Sequence, residues 1–108
     1  MHMAVFTFEV SEQKQAEYLK TTAEVIKPFW ERHECLSYEV YQDYFTSPTR
    51  FVKIQFYKDK QTMEASLALA RNSEEGKNVV ATFMQYIVPE TLEQRRVVPR
   101  IDRDGIVR

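Results

Sequence analysis

Apolar and polar positions alternate along the chain with two periods, and the change from one to the other marks out the elements. Ala4, Phe6, Phe8 and Val10 alternate with Val5, Thr7 and Glu9. A period of two in β-branched and aromatic residues predicts a strand over 3–10. Ser11 then stands at an N-cap position with Glu12 in the first turn. Leu19, Ala23, Ile26, Trp30 and His33 follow at steps of three and four, which predicts an apolar stripe on a helix over 12–33. Pro28 falls inside it and removes a backbone donor, so the helix must kink or split near Lys27.

Leu36, Tyr38 and Val40 alternate with Ser37, Glu39 and Tyr41, giving a second strand. Ser47-Pro48 is a turn signal. Val52, Ile54 and Phe56 alternate with Phe51, Lys53, Gln55 and Tyr57, giving a third strand and, across so short a gap, an antiparallel hairpin. Asp59 is placed to cap a helix over 60–71 with Met63, Leu67 and Ala70 on its inner stripe. Asn72-Ser73 breaks it, and a helix over 74–86 carries Val79, Val80, Phe83 and Met84, with Ile87 just beyond. Pro89 follows, and 91–98 read as the last strand. The order is that of the ferredoxin-like βαββαβ unit, an α+β fold with an antiparallel sheet and its second helix split in two. It predicts one domain over 1–99 and an irregular C-terminal tail over 100–108.

The strands have two faces, and both carry apolar residues. With Ala4, Phe6, Phe8, Leu36, Tyr38, Val40, Val52, Ile54 and Phe56 toward the helices, the second face holds Val5, Thr7, Glu9, Ser37, Glu39, Tyr41, Phe51, Lys53, Gln55 and Tyr57. The last strand adds Glu93, Arg95 and Val97, or Leu92, Gln94 and Arg96 in the other register. Two uses of this face compete: a solvated sheet with Glu39 paired to Lys53, or a surface covering a second copy of itself. The number of aromatics on it favours the homodimer.

Composition narrows the chemistry. The chain has 108 residues, two Gly, one Cys and two His. Gly76 and Gly105 form no phosphate-binding loop. One Cys makes no internal disulfide and no multi-Cys zinc site. His2 lies at the chain start, so His33 is the histidine given weight, and no metal is expected. Fifteen Lys and Arg balance sixteen Asp and Glu, which gives no basic field for nucleic acid; the five Arg from Arg95 onward read as a locally basic tail. The chain carries no apolar run of membrane-spanning length and no signal peptide, so a cytoplasmic protein with a free thiol is expected.

The stretches Glu34-Cys35-Leu36-Ser37-Tyr38-Glu39-Val40-Tyr41, Phe51-Val52-Lys53-Ile54-Gln55-Phe56-Tyr57, Met63-Glu64-Ala65-Ser66-Leu67 and Arg95-Arg96-Val97-Val98-Pro99 resemble the antibiotic biosynthesis monooxygenase-like family of the dimeric α/β-barrel superfamily. The resemblance covers most of 3–99. It implies a ferredoxin-like fold, a homodimer through the sheet face, and a pocket between sheet and helices. It also implies a cofactor-independent monooxygenase acting on an aromatic or quinol-like compound. The alternative is a non-catalytic ligand-binding or stress-response dimer of the same fold. The family usually carries Gly where Glu34 stands, often Trp near Phe56-Tyr57, and often His where Ala70-Arg71-Asn72-Ser73 lie; lack of that His speaks against haem chemistry.

Candidate site residues follow. His33 and the carboxylate of Glu39 are candidate bases, and burial of Glu39 in an interface would raise its pKa. Arg95 is a candidate to hold a substrate anion. Tyr41, Tyr57 and Trp30 offer rings and hydroxyls to an aromatic ligand, and Arg71 and Asn72 offer polar contacts. Each has a plainer role open to it: helix-end capping for His33, core packing for Trp30, interface packing for Tyr41 and Tyr57, exposed charge for the arginines and an ion pair for Glu39. Cys35 reads as a buried, inert thiol. Tyr44 and Phe45, in the hairpin loop, read as exposed aromatics that meet another subunit.

Overall fold

The computed structural model describes residues 1–108. Strand β1 (His2–Glu9) leads into α1 (Glu12–Thr21), one π-helical turn (Thr22–Ile26) and α2 (Lys27–Arg32). Then come β2 (Ser37–Gln42), β3 (Arg50–Tyr57), α3 (Lys60–Leu67), α4 (Leu69–Asn72), α5 (Glu74–Tyr86) and β4 (Val88–Val97). The four strands form one antiparallel-paired sheet in the order β2-β3-β1-β4, the ferredoxin-like arrangement that the order of elements predicts.

Pro28 explains the π turn. It has no N–H to give to the carbonyl four residues back, and its ring crowds that carbonyl. The chain widens by one residue instead, and the Lys27 N–H reaches the Thr22 carbonyl five residues back. Pro28 then opens α2, where its missing donor costs nothing. The helix therefore splits at Lys27 as expected. Its inner stripe is a correction: Tyr18, Thr22, Ile26, Phe29 and Trp30 are buried, while Leu19 and Ala23 face outward. The Tyr18 ring meets Phe8 at 5.9 Å and Phe51 at 5.6 Å, both edge to face. An aromatic cluster, and not the aliphatic residues, sets the buried side. Ser11 holds the N-cap position without a side-chain cap bond, whereas Asp59 caps α3 by accepting from the Thr62 N–H at 2.8 Å.

The larger correction concerns β3. Its inner face carries Phe51, Lys53, Gln55 and Tyr57, all buried. Val52, Ile54 and Phe56 lie on the outer face. The register confirms it: Ala4 lies opposite Gln55, Phe6 opposite Lys53 and Phe8 opposite Phe51, and opposed residues share a face. A one-residue difference in phase turns every side chain over, and β3 is apolar on both sides, so its pattern did not decide the phase. Lys53 and Glu39 therefore lie on opposite faces and form no pair. Leu36, expected to point inward, is exposed just before β2. Strand β4 settles on Leu92, Gln94 and Arg96 inward and Glu93, Arg95 and Val97 outward.

The residues after Pro99 are more ordered than an irregular tail. Ile101 and Val107 form a bridge, and Asp102 closes the turn, accepting from the Asp104 and Ile106 N–H groups and from the Arg108 guanidinium.

Candidate functional site

A partly open cavity of about 220 Å³ lies between the inner sheet face and the helices that cover it. The β1 and β3 phases send Phe6, Lys53 and Gln55 into it. Helix α2 contributes Trp30, α4 contributes Ala70 and Arg71, α5 contributes Val80, Phe83 and Met84, and β4 contributes Leu92, Gln94 and Arg96. The walls are mostly apolar with a few polar groups, the usual make-up of a small-molecule site.

Two of those polar groups are held in place by the fold. Gln55 is 1% exposed; its Nε2 donates to the Tyr57 hydroxyl at 2.8 Å, and that hydroxyl lies 3.1 Å from Ser66 Oγ. The Gln55 Oε1 is buried without a partner. Such an acceptor is costly unless something donates to it. Lys53 is 5% exposed, and its amine rests 4.1 Å above the Phe6 ring centroid, 4.2 Å above that of Phe83 and 5.3 Å from that of Tyr38. Burial lowers the Lys53 pKa from 10.5 to about 7, with a small opposing influence from Cys35. Burial also pushes the Tyr38 hydroxyl well up.

The expected site residues do not converge. Trp30 and Arg71 line the cavity. Asn72 is exposed at the end of α4 and is not among its walls. Tyr57 was expected on the second sheet face; it is fully buried on the inner one, its hydroxyl anchors Gln55, and it is not among the cavity walls. His33 follows α2 with its ring 4.7 Å from Phe29. It lines a separate, open groove shared with Arg32, Glu34, Gln61, Thr62 and Ser66. Glu39, Tyr41 and Arg95 are on the outer face. Glu39 accepts hydrogen bonds from the Tyr41 hydroxyl and, at 2.9 Å, from Ser37. Those bonds hold its pKa below the usual carboxylate value and raise that of Tyr41. Cys35 is buried and its thiol pushed up by burial, as an inert thiol should be. Tyr44 and Phe45 are 86% and 94% exposed.

Lys53, Gln55 and Arg96 are the cavity residues that sequence reasoning did not single out. The signal was there: a lysine and a glutamine alternating with large apolar residues in a strand whose both faces could be covered.

Residues 1–81 match the family model for antibiotic biosynthesis monooxygenases. Solved structures are similar across nearly the whole chain. One is a variant of SnoaB, a cofactor-independent oxygenase from Streptomyces nogalater, with 16% identity, TM-score 0.75 and coverage of 94% of this chain and 95% of that one. Another is a protein from Agrobacterium tumefaciens, with 13% identity, TM-score 0.74 and all of both chains covered. A third is a NIPSNAP domain protein from Burkholderia xenovorans, with 15% identity, TM-score 0.70 and coverage of 92% and 94%. No curated protein matches the chain in sequence. At these identities the structures establish the shared fold.

Proposed function

The chain belongs to the antibiotic biosynthesis monooxygenase family, and on that premise we propose that the cavity between its sheet and helices binds an aromatic or quinol-like molecule and lets molecular oxygen oxidise it without a bound cofactor. The observation that carries this reading is the cavity itself: aromatic walls from Phe6, Trp30 and Phe83 around the unpartnered acceptor of Gln55. A quinol hydroxyl supplies the donor that Gln55 Oε1 needs, and a flat ring suits the walls. The similarity to an oxygenase from Streptomyces nogalater points the same way.

The chemistry asks little of the protein. Deprotonation of the quinol gives an electron-rich anion, which transfers an electron to oxygen; the two radicals join as a peroxide on a ring carbon. Loss of water leaves one oxygen atom on that carbon. A quinol and one oxygen molecule become a hydroxyquinone and one water, and the substrate supplies all the electrons. What the chain contributes is orientation, exclusion of bulk water and stabilisation of the anion.

The reading includes a homodimer through the outer sheet face. Met3, Val5, Val52, Ile54, Phe56 and Val97 share that face, a more apolar set than the sequence pattern alone assigned to it. Such a patch is suited to a self-complementary contact, and the exposed Tyr44-Phe45 loop is placed to extend it. A second reading, a ligand-binding dimer without turnover, is favoured by one observation: neither His33 nor Glu39 lines the cavity.

Oxygen uptake across a panel of quinols, run beside ligand-induced melting shifts, separates the two. Uptake that Ala70→Phe abolishes by filling the cavity supports the oxygenase. Melting shifts without uptake support the binder. No response of either kind contradicts both.

A further inference from the structure

The charges that face Lys53 make the cavity selective, provided that this cavity is the ligand site. Helix α4 turns Arg71 toward it and β4 turns Arg96 toward it, while β1, α2 and α5 bring only uncharged groups. Tyr38 from β2 and Cys35 are the other titratable groups nearby. No carboxylate lines the space. The ion pairs of the chain join Lys27 to Glu31, Arg32 to Glu75, Lys60 to Glu64 and Arg108 to Asp102, and Lys53 takes part in none. A buried lysine is normally paired. Here one inner position of a central strand is given to an amine whose nearest companions are ring faces.

We propose that the cavity takes aromatic molecules that are anionic or carry an acidic hydroxyl, with the Lys53 amine receiving the acidic proton and holding the resulting anion. The step is a balanced proton transfer. The ligand O–H bond breaks, its electron pair stays on oxygen, and the proton forms an N–H bond at Nζ. The product is an ammonium–oxyanion pair in a water-poor site, with Arg96 and Arg71 adding positive potential. Phe6 and Phe83 present their faces to the ammonium and stabilise it as it forms. Because burial brings Lys53 to about 7, transfer from a phenolic group whose acidity is near that value is close to thermoneutral, which is where general-base catalysis works best. A ligand that is already a carboxylate must instead bind together with a proton taken up by Lys53.

Calorimetric titration with 2-naphthoate and its neutral isostere 2-naphthamide tests this, at pH 6.5 and 8.5 and in buffers of different ionisation heat. The expected result is naphthoate binding at least about tenfold tighter than the amide at pH 6.5, with the advantage shrinking about tenfold or more by pH 8.5. At the higher pH, binding draws close to one proton from the buffer. Lys53→Met should lose most of the naphthoate preference, all of its pH dependence and the proton uptake, keeping only what Arg71 and Arg96 supply. Lys53→Arg, which stays charged, should keep the preference and lose its pH dependence. Equal affinity of wild type for both probes overturns the selectivity while leaving the cavity as a ligand site. A preference that survives undiminished in Lys53→Met, with its pH dependence, overturns the role of Lys53. Failure of both probes to bind, or binding that Ala70→Phe leaves unchanged, removes the cavity reading and this inference with it.

Discussion

Glu34 is held at φ +75°, the one non-glycine residue of the chain in the left-handed region. It is there because it closes α2. The Cys35 N–H reaches back to the Trp30 carbonyl at 3.1 Å, the 6→1 bond of a Schellman-type ending with Glu34 at the glycine position, and His33 gives its N–H to the same oxygen at 3.0 Å. The side chain is exposed and earns nothing visible. Glu34→Gly should therefore stabilise the fold by about 0.5–1 kcal/mol, seen as a higher denaturant midpoint with an unchanged slope. Lys53 is the opposite kind of residue, destabilising where it stands. Its folded pKa, about 7, lies below its ordinary 10.5. Between those values the unfolded chain binds a proton that the folded chain does not, so folding stability rises with pH across that window. Below pH 7 the whole penalty is present. Lys53→Met should raise stability by about 1–4 kcal/mol near pH 6, with the gain fading toward pH 10; urea unfolding at the two pH values measures it. The place of Glu34 was legible from the family resemblance. The burial of Lys53 was not, because a lysine in a strand reads as solvent-facing until the phase of the strand is known.

Elements fared differently according to how many of their faces are covered. Helix α5 has one apolar side, and its limits and inner residues were readable from period alone; the inner residues of β1 were readable too, and its limits to within one residue at each end. Strand β3 is apolar on both sides, so periodicity gave a strand without a phase. The first helix misled for another reason. Its inward line is built from Tyr18 and Thr22, whose polar atoms disguise their packing role, and the π turn ahead of Pro28 shifts the stripe by one residue. The junction of α4 and α5 was readable as a break at Asn72-Ser73, but not its tightness. Ser73 Oγ accepts the Gly76 N–H at 2.9 Å, and a Cβ on Gly76 would lie 2.0 Å from the Leu69 carbonyl oxygen. Backbone cannot give way as a side-chain end can. Gly76→Ala should cost about 1–3 kcal/mol and lower the thermal midpoint. Helix α4, whose Ala70 and Arg71 wall the cavity, would shift with it, so ligand-induced stabilisation should also weaken.

For the whole molecule, the covering of the sheet is what ties fold to function. The inner face lines a cavity with Lys53 and Gln55, and the outer face carries Val5, Val52, Ile54 and Phe56, the surface proposed to meet a second copy. Sedimentation at micromolar concentration should give twice the chain mass of 12.9 kDa. Ile54→Glu, which lies opposite Val5 and Glu39, should shift the chain to that single mass by placing a charge in the contact. The general layout and the split second helix followed from the sequence. The site did not, since its members come from β1, β3, β4 and four helices, and only the phases of the strands bring them together. The central claim is that oxygen itself oxidises an aromatic ligand in this cavity. Mass spectrometry of the product formed from a turned-over quinol under 18O-labelled dioxygen tests it most directly. One labelled atom in each hydroxyquinone, lost in Ala70→Phe, is the result predicted; a product without label, or no product from any quinol of the panel, would contradict it.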